Sequence, residues 1–261
     1  MYQAIDAHTH LDFPALSEDL DQVMARAAAV GIDGVVLAGA NPEHWDRVAR
    51  VSAHVGGALC LGVHPWWVAD RGAEQLQKDL DHLADRDDLD GIGETGLDWI
   101  RAGSDADTRG LQQASLAAHV ELAHHMALPL VLHIVRAHAE ALSAIAALDL
   151  PARGGMVHAW SAGPEWVELA LELGLYLSFG TDVARSAKVR AALAEVPLDR
   201  LLIETDCPDR PLPPHTIGQP HHLFEIAELV AKVHKCPTER IVQATAENAR
   251  SLFPILGYPD A

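Results

Sequence analysis

Eight short apolar runs, each followed by a polar or amphipathic stretch, pace this chain from one end to the other. They fall at 3–9, 34–39, 58–63, 91–96, 129–133, 156–159, 175–179 and 201–204. Several, such as Leu130-Val131-Leu132 and Leu201-Leu202-Ile203, are continuously apolar rather than alternating. A strand apolar on both faces is covered on both faces, the condition of a parallel sheet flanked by helices. The intervening segments supply those helices. One is expected to begin at Ser17-Glu18-Asp19, where a capping side chain precedes first-turn acids. Another spans 107–126, and a further pair, 220–233 and 237–253, follows the last strand. Eight strand–helix units close most economically into a (β/α)8 TIM-type barrel with an extra C-terminal helix, expected as one domain over 1–261. An open doubly wound sheet uses the same parts. Polar residues decide between them: they terminate runs one, three, four, five, six and eight, and a closed barrel gathers those ends at one mouth.

Those terminal residues carry chemistry. His8 and His10 stand two apart on an extended segment, so their imidazoles share a face. Glu94 lies in Gly91-Ile92-Gly93-Glu94-Thr95-Gly96-Leu97-Asp98, and His133 and His158 follow apolar strands. Asp206 lies in Leu201-Leu202-Ile203-Glu204-Thr205-Asp206-Cys207-Pro208. Four imidazoles and two carboxylates exceed the needs of one tetrahedral zinc. They suit two divalent ions roughly 3.5–4 Å apart, with Glu94 bridging, His8 and His10 on one ion, and His133 and His158 on the other. Ligands of nitrogen and oxygen without thiolate admit Zn, Mn, Mg, Ni or Fe. Asp206, at the edge of the metal shell, is expected to orient a water and accept its proton, so Asp206 and Glu94 are the candidate catalytic carboxylates. His64, in Gly62-Val63-His64-Pro65-Trp66, is expected to contact substrate phosphate or water rather than metal. Asp6 shares the histidine face either as an acid standing behind the metal ligands or as a buried structural acid, and Cys207 reads as a packed thiol. Trp66, Trp67 and Trp160 either roof the barrel or stack a base. His124-His125 and His221-His222 read as solvated helix faces.

Composition restricts the partners. Asp and Glu number 37 against 19 Lys and Arg, a net charge of -18. Such a surface repels polyanions, so stable high-affinity duplex binding is not expected, and a phosphate-bearing substrate would need local positive charge such as bound cations. Three cysteines, Cys60, Cys207 and Cys236, have no metal-finger spacing and an odd count, which fits a reducing compartment. No targeting leader and no membrane-length apolar run is read, so a cytoplasmic protein without a membrane partner is expected. Oligomeric state is left open.

Five segments together resemble a known family. They are His8-Thr9-His10-Leu11-Asp12, Gly62-Val63-His64-Pro65-Trp66, Gly93-Glu94-Thr95-Gly96-Leu97-Asp98, Val157-His158-Ala159-Trp160-Ser161 and Glu204-Thr205-Asp206-Cys207-Pro208. They look like the motifs of the TatD-type metal-dependent deoxyribonucleases, which are amidohydrolase-like barrels. The resemblance runs from residue 5 to about 253, where 245–253 resembles the family's closing helix. It implies two divalent ions on His8, His10, Glu94, His133, His158 and Asp206, and a phosphodiesterase of the 3'-5' exonuclease type acting on a nucleic-acid 3' end or a small phosphoester. The chain also departs from the family pattern. It reads His133-Ile134-Val135-Arg136-Ala137-His138 where many members read histidine, any residue, Arg-Asp-Ala, and it carries His119 where glutamine is common. Together with Gly218-Gln219-Pro220, these departures look more like a less characterised subgroup. The same apparatus also serves hydrolysis of small amides, lactones or phosphoesters, and a non-catalytic binding protein is the third alternative.

Overall fold

The computed structural model describes residues 3–257. Its strands are β1 (Ala4–Thr9), β2 (Ile32–Gly39), β3 (Ala58–Leu61), β4 (Gly91–Asp98), β5 (Leu130–Val135), β6 (Gly155–Val157), β7 (Leu175–Phe179) and β8 (Leu201–Ile203). They pair in parallel and in chain order from β1 to β8. Beyond the end of β8 the ring closes onto β1: Thr9 bridges Cys207, His10 N–H donates to Cys207 O at 2.8 Å, and Asp206 N–H donates to His8 O at 3.1 Å. The barrel is therefore the architecture, and the open sheet is excluded.

Helices alternate with the strands on the outside. The expected central helix is Ala106–Met126, started by Asp105 side-chain acceptance of the Asp107 and Thr108 amides. The final pair is Leu223–His234, entered through a 3-10 turn at Pro220–His222, and Thr238–Leu252. The first helix differs from expectation. Pro14, with its fixed φ, starts a short helix at Pro14–Ser17, so Ser17 ends a helix instead of capping one. The next helix is Leu20–Val30, and Asp19 before it makes no side-chain cap.

The buried residues form two layers. One fills the space between strands and helices. The other, with Ile5, Ala7, Val36, Cys60, Val131, Met156 and Leu202, fills the lower barrel and meets Ala246, Ala249, Leu252 and Phe253. Val131 and Met156 stand two residues before His133 and His158, so the inner face runs from apolar filling up to imidazoles. On β1 alternation alone would turn His8 away from Ile5 and Ala7. A one-residue register shift between Asp6 and Thr9 reverses the parity. β4 carries a matching shift between Ile92 and Thr95. There Gly93 has φ 138, and a Cβ on it would lie 2.3 Å from Val131 O, so only glycine fits. Glu94 consequently sits inside β4, which continues four residues past it, rather than closing the strand.

Candidate metal centre

The six expected residues converge at the C-terminal mouth of the barrel. Glu94 is the hub, with its two oxygens turned toward different histidines. Oε1 lies 2.9 Å from His133 Nδ1, 2.8 Å from His158 Nε2 and 3.1 Å from His64 Nε2. Oε2 lies 3.5 Å from His8 Nε2 and 3.7 Å from His10 Nε2. Asp206 Oδ1 lies 3.5 Å from His10 Nε2 and 3.9 Å from His8 Nε2. His8 Nε2 and His10 Nε2 are 3.3 Å apart, and the His8 ring stacks on His158 at 4.0 Å between centroids. Three sets of donor atoms lie within 4.8 Å of one another: His8, His10 and Glu94; His8, His158 and Asp206; and His64, Glu94 and His133.

The far nitrogen of each ring indicates which of these can bind a cation, because a neutral imidazole ligates through its unprotonated nitrogen. His10 Nδ1 lies 2.9 Å from the Ala38 carbonyl, which can only accept, so Nδ1 carries a proton and Nε2 is the nitrogen turned to the centre. His133 Nε2 faces Asp98 Oδ2 at 3.4 Å, leaving Nδ1 for the centre. His158 Nδ1 faces Glu204 Oε1 at 3.4 Å, leaving Nε2. Carbonyl or carboxylate partners behind metal-binding imidazoles are the usual means of fixing their tautomer. His64 is the reverse case. Its Nδ1 accepts the Trp66 amide at 3.1 Å, so its proton is on Nε2, aimed at Glu94. His64 is a hydrogen-bond donor to the centre, and the neutral ring is not a ligand.

Electrostatics agree with a site that attracts cations. Burial works to raise the pKa of Glu94, but the surrounding imidazoles hold it well below the ordinary carboxylate range. Burial likewise opposes ionisation of Asp206, and the hydrogen bond with His10 and the neighbouring imidazoles bring it down to about 2. His10 is raised to about 9 against burial by Asp206 and Glu94, whereas burial drives His64 down to about 4 despite the pull of Glu94. Two ionised carboxylates among tautomer-fixed imidazoles are a donor set suited to divalent cations.

Asp98 and Glu204 were not assigned roles from the sequence. Asp98 accepts the Ile100 and Arg101 amides at 2.8 and 2.9 Å, and Trp66 Nε1–H at 2.6 Å. Glu204 is fully buried and accepts the Ala159 amide at 2.6 Å. Even spacing from Glu94 and from Asp206 was the available signal. Asp6 departs from expectation. The β1 register shift removes it from the histidine face, and its oxygens take the Thr205 amide at 2.9 Å and the Thr205 hydroxyl at 2.6 Å instead. Its structural role stands, and burial pushes its pKa up to about 8. His124 and His125 are exposed as expected, but His222 is buried, its ring stacked 3.7 Å from His215 under the turn that Pro220 starts. Cys207 is a buried free thiol. Trp160 is buried, Trp67 is partly buried, and Trp66 is 48% exposed.

An eight-stranded α/β barrel with histidine and carboxylate donors gathered at its C-terminal mouth is the arrangement of a metal-dependent hydrolase. The TatD related DNase family matches residues 5–254, and the chain belongs to that family. It is 32% identical over 260 residues to the protein named uncharacterized metal-dependent hydrolase YjjV of Escherichia coli K12, covering 96% of this chain and 98% of that one. It is 30% identical over 260 residues to the 3'-5' ssDNA/RNA exonuclease TatD of Klebsiella pneumoniae, covering 96% and 97%. The crystal structure of E. coli YjjV superposes with a TM-score of 0.85 at 30% identity, over 96% of this chain and 98% of that one. A TatD-family hydrolase from Entamoeba histolytica shares the fold at a TM-score of 0.81 and 18% identity.

Proposed function

We propose that the protein is a phosphodiesterase that holds two divalent ions and removes nucleotides from the 3' end of single-stranded nucleic acid. The division of Glu94 carries this reading, Oε1 toward His133 and His158 and Oε2 toward His8 and His10, because a carboxylate presented to two separate histidine pairs suits a bridging ligand. The name of the Klebsiella relative supports the substrate. When bound, such cations polarise the phosphoryl group and make a coordinated water more acidic. The chain's own groups do the rest. Asp206, ionised and at the mouth, accepts the proton of the attacking water and holds that water in line. His64 donates its Nε2–H to Glu94 Oε1 at 3.1 Å and so steadies that carboxylate, and its neutrality spares the site a competing positive charge. The three cysteines, all free, support a reducing cytoplasm as the place of action. Among the described residues no helix is long and apolar enough to cross a membrane.

The test pairs elemental analysis of the purified protein with hydrolysis of a single-stranded oligonucleotide labelled at its 5' end. Two ions per chain and a descending ladder of labelled products are expected, and the analysis identifies the metal. One ion per chain, or turnover confined to amides or lactones, would overturn the proposal.

A further inference from the structure

Only six large apolar side chains are notably exposed among the described residues, and three of them, Phe13, Trp66 and Ile100, line the cavity of about 1040 Å³ over the metal centre. Two of the three, Phe13 and Trp66, are aromatic and keep ring surface in water beside the polar site. Phe13 and Trp66 are also placed on different sides of Glu94. The Phe13 ring stands edge-on to His10 at 5.8 Å between centroids, next to the histidines that face Oε2. The Trp66 ring stands edge-on to His64 at 5.0 Å and to His133 at 6.4 Å, next to those that face Oε1.

The backbone under Phe13 and the Trp66 side chain are held before any ligand arrives. Phe13 N–H donates to His10 O at 3.3 Å, and the Phe13 carbonyl accepts from Leu16 and Ser17 at 2.9 Å each, so the loop out of β1 is tied down. Trp66 is fixed at both ends of the residue, its amide on His64 Nδ1 and its indole N–H on Asp98. Phe13 is 42% exposed and Trp66 48% exposed, so each keeps ring surface free for a partner. A fixed aromatic face gives stacking affinity with little loss of side-chain freedom.

We infer that Phe13 and Trp66 are paired stacking platforms that take the unstacked bases on the two sides of the phosphodiester seated at the metal centre. The inference rests on the phosphodiesterase reading, and it narrows the substrate to a nucleotide step with planar groups on both sides of its phosphate. A simple alkyl phosphoester would leave both platforms empty. Trp66 has a positioning duty as well, since its indole bonds the carboxylate that faces His133.

The experiment measures binding without turnover. The metal-loaded protein is titrated with methylenephosphonate-linked dithymidine, whose bridging CH2 resists hydrolysis, and with two analogues lacking the base on the 5' or on the 3' side. Removing either base should weaken binding by at least about fivefold, the low end of base–aromatic stacking. Trp66→Leu should abolish the sensitivity to one base and Phe13→Ala the sensitivity to the other, and the pattern reads which platform serves which side. Trp66→Phe, keeping a ring, should retain most of the base sensitivity. Metal content measured on each variant separates lost stacking from a disturbed His133. Equal affinity of the wild type for all three probes, or a uniform weakening of all three in each variant, would overturn the inference. Because no turnover is needed, a side-specific binding pattern in a protein that cleaves no oligonucleotide would fault the proposed reaction and leave the platforms standing.

Discussion

At the N-terminal end of the barrel Ile5, Ala7, Val36, Ala58, Cys60, Val131, Met156 and Leu202 pack under the last helix, with Phe253 reaching the first residue of β4. At the C-terminal end the same strands present imidazoles and carboxylates. Buried polar atoms there lack partners: His8 Nδ1, Glu204 Oε2 and Trp160 Nε1 are examples. Among the described residues, non-glycine positive φ occurs at both ends, and Ala127, Asp149 and Lys235 hold it at helix C-caps. Arg136, Ala159 and Asp206, which follow β5, β6 and β8, hold positive φ of 57, 44 and 54 without being glycine. Such conformations cost on the order of 1–3 kcal/mol each and persist where surrounding structure enforces them. One end of the molecule is thus built for stability and the other departs from local optimum to aim ligands, the division expected of such barrels.

The two ends should respond oppositely to mutation. Asp206→Asn is nearly isosteric and removes the anionic acceptor, so turnover should fall by about 10²–10⁴-fold while the histidine-held metals and the melting temperature are largely kept. Near-normal oligonucleotide hydrolysis in a folded variant would show Asp206 to be a structural acid. Phe253→Ala is the counterpart at the closed end. It should cost roughly 3–5 kcal/mol in denaturant unfolding, because the plug cannot collapse around the lost ring, with turnover per folded molecule unchanged. If that variant lost activity while fully folded, the separation between the ends would fail.

The closed end was the more legible from sequence. Continuous apolar runs such as Leu201-Leu202-Ile203 express the coverage on both faces that fixes a parallel strand, while the polar residues at their ends separated the barrel from an open sheet. The proposed ligand residues were legible as polar groups at or near strand ends. Their aim was not, because it depends on two register shifts that no alternation pattern contains. The same shift explains why Asp6, two before His8, leaves the histidine face. Asp98 and Glu204 were quoted in motifs but given no role, since a carboxylate behind a histidine is defined only once both are in space. Ser17 looked like a cap because Ser-Glu-Asp has the right composition, and the fixed φ of Pro14 overrode it.

His119 tests the region between the two ends. Its Nε2 accepts the Val63 amide at 3.0 Å, bracing the chain just past β3, and its Nδ1–H donates to Ser115 O at 2.7 Å. Burial lowers its pKa from 6.5 to about 4, against the pull of Asp79, so the folded protein keeps it neutral. Between these values the unfolded chain binds more protons than the folded one, so stability is lost as pH falls from about 6.5 toward 4 and levels off below. The full contribution is on the order of 3 kcal/mol. Gln in its place can make both bonds without titrating. The unfolding free energy of metal-free His119→Gln should therefore fall less steeply with acid than that of the wild type. Identical pH profiles would mean that His119 is protonated or mobile in the folded state.

The smallest effect expected is also the most local. Asp98 faces His133 Nε2 with an oxygen that also holds Trp66, while its other oxygen takes the Ile100 and Arg101 amides. Asp98→Asn can keep the amide bonds through its remaining oxygen. The new NH2 then points at two other N–H donors, and His133 has no acceptor to hold its proton on Nε2. The proton should move to Nδ1 for part of the population, removing the lone pair aimed at the centre. Loss of an orienting carboxylate behind a metal-bound histidine typically weakens metal affinity by about 10–100-fold. Here the loss should be confined to the ion held by His133 and His158, because His8 and His10 do not touch Asp98. Competitive titration with a chelator should resolve one weakened and one unchanged site, with the barrel's melting temperature in the metal-free state little altered. Equal weakening of both ions would place Asp98 in support of the whole mouth, and no weakening would leave it as an anchor for Trp66 alone.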